Sequence, residues 1–455
     1  VGFETLNRTV GPIAPNFINL LILLMELTSL LTRRIGQNLF LPAHGRGAAL
    51  PARFRQLLRK YPGSWDLPEL PCIGSPLDDL GAIADSQRTS AQILGAKNCW
   101  YGVNGATGLL QAALFSLIKP GQAVLMPRNV HKSLIHTCLI GNFLPILFDL
   151  PFLSDRGHYF VPDENWLDKV LEKVKIESLD IAGVVLVNPT YQGYSANIKP
   201  LIKKLQSFGW PVIVDEAHGS HFTFYADMNM PESALSAGAD IVVNSLHKSS
   251  LGISQTAVIL SQGNLVDHKS LKRSLDLFQT SSPNSLLLAS CELALREWTL
   301  PQSRNKLRRR LNEAREIFMN LRLYGLPLLI NHDPFRLILH TASVGINGLD
   351  ADEWMSSKGL VGELPEPGCI TFCLGFASHK GIEKLFKKLW KQLSSSDLLG
   401  KHPYSFNPPP YPLLSQPAMN PSSAWRSKTE TLPIEKLIGR ISADLISPYP
   451  PGIPL

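Results

Sequence analysis

Paired cysteines are missing from this chain. Cys72, Cys99, Cys138, Cys291, Cys369 and Cys373 are scattered along 455 residues with no Cys-x-x-Cys spacing. Cys369 and Cys373 lack a second pair or a histidine beside them in the sequence. Structural zinc and a disulfide framework are therefore disfavoured, and a reducing, cytoplasmic setting fits. Long apolar runs are missing as well. The segment "FINLLILLMELTSLL" (17–31) has only "LLILLM" uninterrupted, between Asn19 and Glu26. A membrane span needs roughly 20 such residues, and the flanks lack the marks of a signal peptide. An amphipathic helix packed on another domain or subunit is expected there. Also missing is a basic stripe interleaved with aromatics. The net charge is +7, but the basic segment "NKLRRRLNEARE" (305–316) carries acids and reads as a solvated helix face, so nucleic acid is not an expected partner.

What is present is an ordinary globular balance, 44% apolar and 18% charged, in a chain long enough for two or three domains. From about residue 80, helix-period segments alternate with short β-branched runs. "IADSQRTSAQILGA" (83–96), "TGLLQAALFSLI" (107–118), "HKSLIHTCLIG" (131–141) and "IKPLIKKLQSFG" (198–209) read as helices. "QAVLMP" (122–127), "LPILFDL" (144–150), "IAGVVLVNP" (181–189), "WPVIVDEAH" (210–218) and "ADIVVNSL" (239–246) read as strands. This alternation predicts βαβ units and a mostly parallel, buried sheet. After about residue 295 a charged helix (304–323) leads to "FRLILHT" (335–341) and "CITFCLGF" (369–376), the pattern of a smaller α+β domain. The tail from Leu399 holds 12 of the 35 prolines, which excludes long regular elements except a helix-like stretch at 432–446, and it is expected to dock.

Polar residues that end buried strands carry the chemistry, because ligands bind beyond the carboxyl ends of strands in an open parallel sheet. Asp215 ends one such run, and Ser245, His247 and Lys248 follow another. Taken alone, the acid and the amine read equally well as an ion pair. "GVNGATGLLQAALFSL" (102–117) is a glycine-rich turn opening a helix. The first backbone N–H groups of this helix are expected to be unpaired and to make an anion site, with the Thr107 hydroxyl as a further donor and Gly105, Ala106 and Thr107 as cofactor-binding candidates, though the turn alone also reads as a plain N-cap. Together the three fit pyridoxal 5'-phosphate, which requires a phosphate cradle, a lysine for its Schiff base and an acid to keep the pyridine nitrogen protonated. The sequence holds two His-Lys-Ser triplets. Lys248 follows the strand after Asp215, whereas Lys132 opens a helix and has no reason to face the cofactor. His131 is suited to stacking on the ring.

These residues resemble the pyridoxal-phosphate-dependent ornithine/lysine/arginine decarboxylase family, of aspartate-aminotransferase fold. The likeness runs from about Phe40 to the C-terminus through "LPAHGRG" (41–47), "LPELPCIGSPLDDLGAI" (67–83), "VNGATG" (103–108), "PRNVHKS" (127–133), "NPTYQGYSANI" (188–198), "VDEAHGSHF" (214–222), "SLHKS" (245–249) and "YPPGIP" (449–454). The resemblance implies an α/β fold: an N-terminal helical arm (1–39), a large cofactor-binding domain with a mostly parallel sheet (40–297), and a small α+β domain with the proline-rich tail (298–455). It implies that Lys248 carries the cofactor and moves protons, that Asp215 pairs with the pyridinium nitrogen, and that His131 stacks on the ring. Ala106, Thr107, Ser245 and His247 would lie at the phosphate, Ala217 under the ring, and Thr190 near its hydroxyl. His218 stands close to this group, with a structural role equally open. Ser281 and Ser282 resemble the segment that reaches a neighbour's phosphate, which implies a homodimer with shared sites. Glu363 in "LVGELPEPG" matches a family acid and is the candidate partner for a cationic substrate tail.

Two departures stand out. The family commonly has Pro-Gly-His-Lys where this chain has "PAHGR" (42–46), so Arg46 is expected to replace a lysine charge. The length also leaves no room for the receiver-like domain of large inducible members, and so the likeness is to the short biosynthetic type. The implied reaction is decarboxylation of a basic amino acid, arginine before lysine or ornithine, toward polyamines. Rival readings are an aminotransferase or lyase of the same fold, which would hold the substrate carboxylate with an arginine such as Arg336, and a non-catalytic regulatory relative.

Overall fold

The structure is a computed structural model that describes residues 36–401 and 405–443, with single positions 31, 445, 447, 452 and 453. The expected N-terminal amphipathic helix lies outside the described residues. Two sheets organise the rest. The larger has eight strands: β1 (Asn98–Gly102), β2 (Ala123–Pro127), β3 (Leu144–Phe148), β4 (Ile181–Val187), β5 (Val212–Asp215), β6 (Ile241–Ser245), β7 (Ala257–Ser261) and, from the tail, a two-residue strand, Leu414–Ser415. Their spatial order is Leu414–Ser415, β3, β2, β4, β5, β6, β7, β1. The five central strands are parallel, while β7 runs antiparallel to both its neighbours. β2, β5, β6 and β7 are buried along their whole length, as expected of a sheet covered by helices on both faces.

Strands β1 and β7 were not among the strands expected from the sequence, and they place the site. Ala257 of β7 lies opposite Gly102 on one side and Ser245 on the other. This register brings the glycine-rich turn after β1 level with the His-Lys turn after β6. Helix α1 (Gly105–Leu117) leaves that turn and buries Leu109, Leu110 and Leu114 against the sheet. Helix α2 (Lys132–Gly141) follows β2, with His131 as its N-cap.

The smaller sheet contains β8 (Leu328–Leu329), β9 (Arg336–Leu339), β10 (Leu364–Glu366) and β11 (Cys369–Cys373), all antiparallel, in the order β8, β9, β11, β10. Helix α3 (Pro301–Leu323), which begins with the proline that suits a first helical turn, leads into it. The tail docks. Its strand Leu414–Ser415, hereafter β12, pairs with β3 across the boundary expected at residue 298, and the Asp149 N–H reaches the Leu413 carbonyl at 2.9 Å. The helix expected at 432–446 is reduced to one turn, Ile434–Lys436. Pro433 precedes it, Gly439 turns the chain with φ +79°, and Ile434, Leu437, Ile438 and Ile441 lie exposed with no cover among the described residues.

Candidate active site

A cavity of about 530 Å³ opens at the carboxyl ends of β5 and β6. Lys248, Asp215, His131, Ala217 and Thr190 line it, as do Gly105, Ala106, Thr107, His218, Ser245 and His247. Glu363, Ser281, Ser282, Lys132 and Arg336 do not.

Asp215 is the last residue of β5 and is only 6% exposed. One carboxylate oxygen accepts the Ala217 N–H at 3.1 Å, and the other takes no hydrogen bond among the described residues. Burial raises its pKa above the ordinary value, and the charge of Lys248 offsets part of this. Lys248 sits in the single helical turn Leu246–Ser249 after β6. Its Nζ is 3.3 Å from His218 Nε2 and 5.8 Å from the centre of the Tyr191 ring. Burial lowers its pKa, partly countered by Asp215 and Glu363. Arg336 Nη2 lies 3.4 Å from the other ring nitrogen of His218, Nδ1. His218 thus stands between Arg336 and Lys248, with its own pKa driven far down by burial and these cations.

At the other end, Gly105 opens α1 with φ +68°, a conformation that suits glycine, and a Cβ there would meet no atom within 4 Å. The Gly105 N–H, expected to be free, is taken by the Gln255 carbonyl at 2.9 Å, whereas the Ala106 and Thr107 N–H groups have no acceptor among the described residues. These donors, the unfilled oxygen of Asp215 and the amine of Lys248 fit pyridoxal phosphate at its three anchoring points. Ser245 Oγ is 3.1 Å from His247 Nδ1 beside this cradle. His131 accepts the Ser133 N–H at 3.2 Å through Nδ1, which fixes its ring. Burial, with the neighbouring Lys248 charge, lowers both His131 and His247 to about 4.

The remaining candidates stand elsewhere. Ser281 and Ser282 are exposed on the loop before the helix Ser285–Arg296. Glu363 is engaged behind the cavity wall: one oxygen accepts the Leu41 N–H at 2.7 Å and the other the Tyr191 hydroxyl. Arg336 is buried at 3% exposure against His218. Sequence reasoning missed Tyr191, Gln192 and Glu366, each a near neighbour of a residue it did select, and Arg128 and Tyr411, whose guanidinium and ring stack 3.8 Å apart at the cavity. It also missed that His158 and Glu366 meet Cys369, all three offering ligand-type atoms within 4.8 Å of one another.

A lysine and an acid on neighbouring strand ends, beside an open helix N-terminus, define a pyridoxal-phosphate enzyme of the aspartate-aminotransferase fold. Comparison with known proteins narrows the class. Residues 33–324 match the model of the Orn/Lys/Arg decarboxylase major domain, and residues 408–455 match that of its C-terminal domain. The chain therefore belongs to the Orn/Lys/Arg decarboxylase family and is a decarboxylase of basic amino acids. It is 30% identical to an arginine decarboxylase of Bacillus subtilis over 91% of this chain and 86% of that one. Among solved structures, the constitutive lysine decarboxylase of E. coli superposes with a TM-score of 0.71 at 19% identity, covering 97% of this chain and 75% of that one. Lysine decarboxylase A of Pseudomonas aeruginosa gives 0.69 at 20% identity, covering 91% and 70%. Among the described residues no helix is long and apolar enough to cross a membrane.

Proposed function

We propose that this protein decarboxylates arginine, in the cytoplasm, as a homodimer that holds pyridoxal phosphate through Lys248 and Asp215. The observation that carries the reading is the meeting of Lys248, Asp215 and the amino end of α1 in one cavity. The choice of arginine rests on four relatives named arginine decarboxylase at 28–30% identity over 91% of the chain. The exposure of Ser281 and Ser282 suits a contact with a partner's phosphate cradle. We place the working boundary between the two sheet-bearing units near residue 298.

Pyridoxal phosphate supplies the electron sink for the bonding pair left behind when CO2 departs. The chain's own residues do the rest. The N–H groups of Ala106 and Thr107 would hold the phosphate, and Asp215 would keep a proton at the pyridine nitrogen. Lys248 Nζ, beside His218 and Arg336, would anchor the cofactor and would return a proton to the substrate Cα. His131 would cover the ring face. Prolines and leucine of β10 and its flanks, with Pro409 of the tail, make a low-polarity wall that excludes water and favours loss of a charged carboxylate.

Arg336 bears on the aminotransferase alternative. It stands behind His218, away from the cavity lining, and so is not presented to a substrate carboxylate. The test is product analysis. Purified protein supplied with pyridoxal phosphate is incubated with arginine, lysine and ornithine, and CO2, amine and 2-oxo acid are quantified. Equal amounts of CO2 and amine, greatest with arginine, are expected. A 2-oxo acid without CO2 would overturn the reading.

A further inference from the structure

We propose that Glu366 is the anion that recognises the cationic head of the substrate's side chain. This inference rests on the decarboxylase reading and deepens it. Apart from Asp215, Glu366 is the one acid among the described residues lining the cavity, and its side chain remains 17% exposed there. A guanidinium or ammonium head entering this pocket beside the prolines and Leu364 of β10 and its flank loses water, and it needs a charge-assisted hydrogen bond in exchange. Glu363 is poorly placed to provide one, because its two oxygens already accept from Leu41 and Tyr191.

The neighbours of Glu366 hold it for this task. Gln192 Nε2 donates to both oxygens, at 3.0 Å and 3.1 Å, and so fixes the plane of the carboxylate. Oε2 also receives the Cys369 thiol at 3.4 Å and lies 3.4 Å from His158 Nδ1. Oε1 receives Gln192 alone and keeps lone-pair capacity with no donor among the described residues. The link to the reacting centre is short in chain terms. Gln192 follows Tyr191, whose ring lies beside Lys248 Nζ. Glu366 therefore belongs to the same pocket as the amine while staying separate from its hydrogen bonds.

The trio His158, Glu366 and Cys369 also has the residue types of a metal site. Its hydrogen bonding favours the other role. Burial and the Glu366 charge push the Cys369 thiol far above its ordinary range, which makes it a donor to the carboxylate and not a thiolate ligand. In this arrangement the thiol, Gln192 and His158 are positioning residues for Glu366.

The experiment uses holoenzyme of wild type, Glu366→Gln, Glu366→Asp and Glu363→Gln. Cofactor absorbance reports on folding and loading. Steady-state kinetics are measured with arginine, lysine and ornithine, and with norleucine as a neutral tail. Calorimetry measures binding of the decarboxylated arginine product. Loss of a charge-assisted contact predicts a KM for the best basic substrate raised roughly tenfold to a hundredfold in Glu366→Gln, with product binding weakened in step. Norleucine should be unaffected, and Glu366→Asp should recover part of the loss. Glu363→Gln should lower kcat for all substrates alike through Tyr191. If Glu363→Gln shows the selective KM effect and Glu366→Gln does not, the proposal fails while the decarboxylase reading stands. If addition of zinc or a chelator changes product binding by wild type but not by Glu366→Gln, the trio is a metal site and the proposal also fails. A wild type that binds the product through Glu366 but releases no CO2 would retain the inference and remove the decarboxylase reading.

Discussion

The wall that carries Lys248 is built from strand and helix ends of the large sheet, at Gly105 to Thr107, His131, Asp215 to His218 and Ser245 to Lys248, whereas the rest of the cavity is assembled from other pieces: the loop at 157–159, strand β10, and Pro409, Tyr411 and Ile453 of the tail. In the first wall, strand register does the positioning. Ala257 aligns Gly102 with Ser245, and Asp215 pairs with Val243 in the neighbouring parallel strand, so the cradle, the acid and the amine meet once the sheet forms. In the second wall, placement depends on how the small sheet and the tail pack. The first wall is suited to chemistry common to the family, and the second to choosing a substrate.

Removal of the amine attacks the first wall most directly. Lys248→Ala should lower kcat by on the order of 1,000-fold or more, because nucleophile and proton carrier are lost together. Asp215→Asn, which leaves a similar shape but no charge, should cost about 100-fold and loosen the cofactor. Stopped assays for CO2 and absorbance of the bound cofactor measure both. A variant at either position with near wild-type turnover would mean that this wall is not the reacting one.

A smaller effect is expected from the second wall. Tyr411 stacks on the Arg128 guanidinium, which also reaches Ser415 Oγ at 2.6 Å, and so ties the tail to the loop between β2 and α2. Tyr411→Ala removes one cation–π contact of about 0.5–1 kcal/mol at a part-exposed site. KM should rise about two- to fivefold with kcat nearly unchanged. A large fall in kcat would show instead that the tail orders the chemistry.

The same contrast explains what was legible in the sequence. Asp215, Lys248, His131 and the α1 turn stand at the ends of β-branched runs or at the starts of helical ones, where local pattern and function coincide. Their shared cavity follows from parallel βαβ order. Strand β7 carries in "AVILS" the same short apolar run as β2 in "AVLMP" and was overlooked, with nothing in it to mark an antiparallel return, and β1 was missed because "NCWYG" is too short and mixed to show a period. Glu366 and Gln192 were missed for a different reason. They lie 174 residues apart, and nothing in "NPTYQGY" or "ELPEPG" says which acid turns toward the cavity. That choice is made by β10, whose pairing with β11 sets Glu366 opposite Cys369. The expected helix at 432–446 is cut short by Gly439 at φ +79°, and its apolar face has no surface to cover among the described residues.

The two walls should also part in their response to acid. His131 and His247 are held near 4 against an ordinary 6.5, so the unfolded chain binds more protons than the folded one between those values. Stability then rises with pH across that window, and it is lost as pH falls from about 6.5 toward 4. Glu366 behaves in the other order. Burial opposes its ionisation, but His158, Gln192 and Cys369 outweigh this and hold it below its ordinary 4.5. Its contribution is fully present above 4.5 and is lost only as pH falls through the lower folded value. Urea unfolding from pH 7.5 to pH 3.5 should therefore show two limbs. Replacing His131 and His247 together with Gln should make the limb between 6.5 and about 4 shallower, with His218 still contributing, and leave the lower limb, while Glu366→Gln should act on the lower limb and leave the upper one. If the double histidine variant keeps the full slope of the upper limb, the low values assigned to these two histidines are wrong.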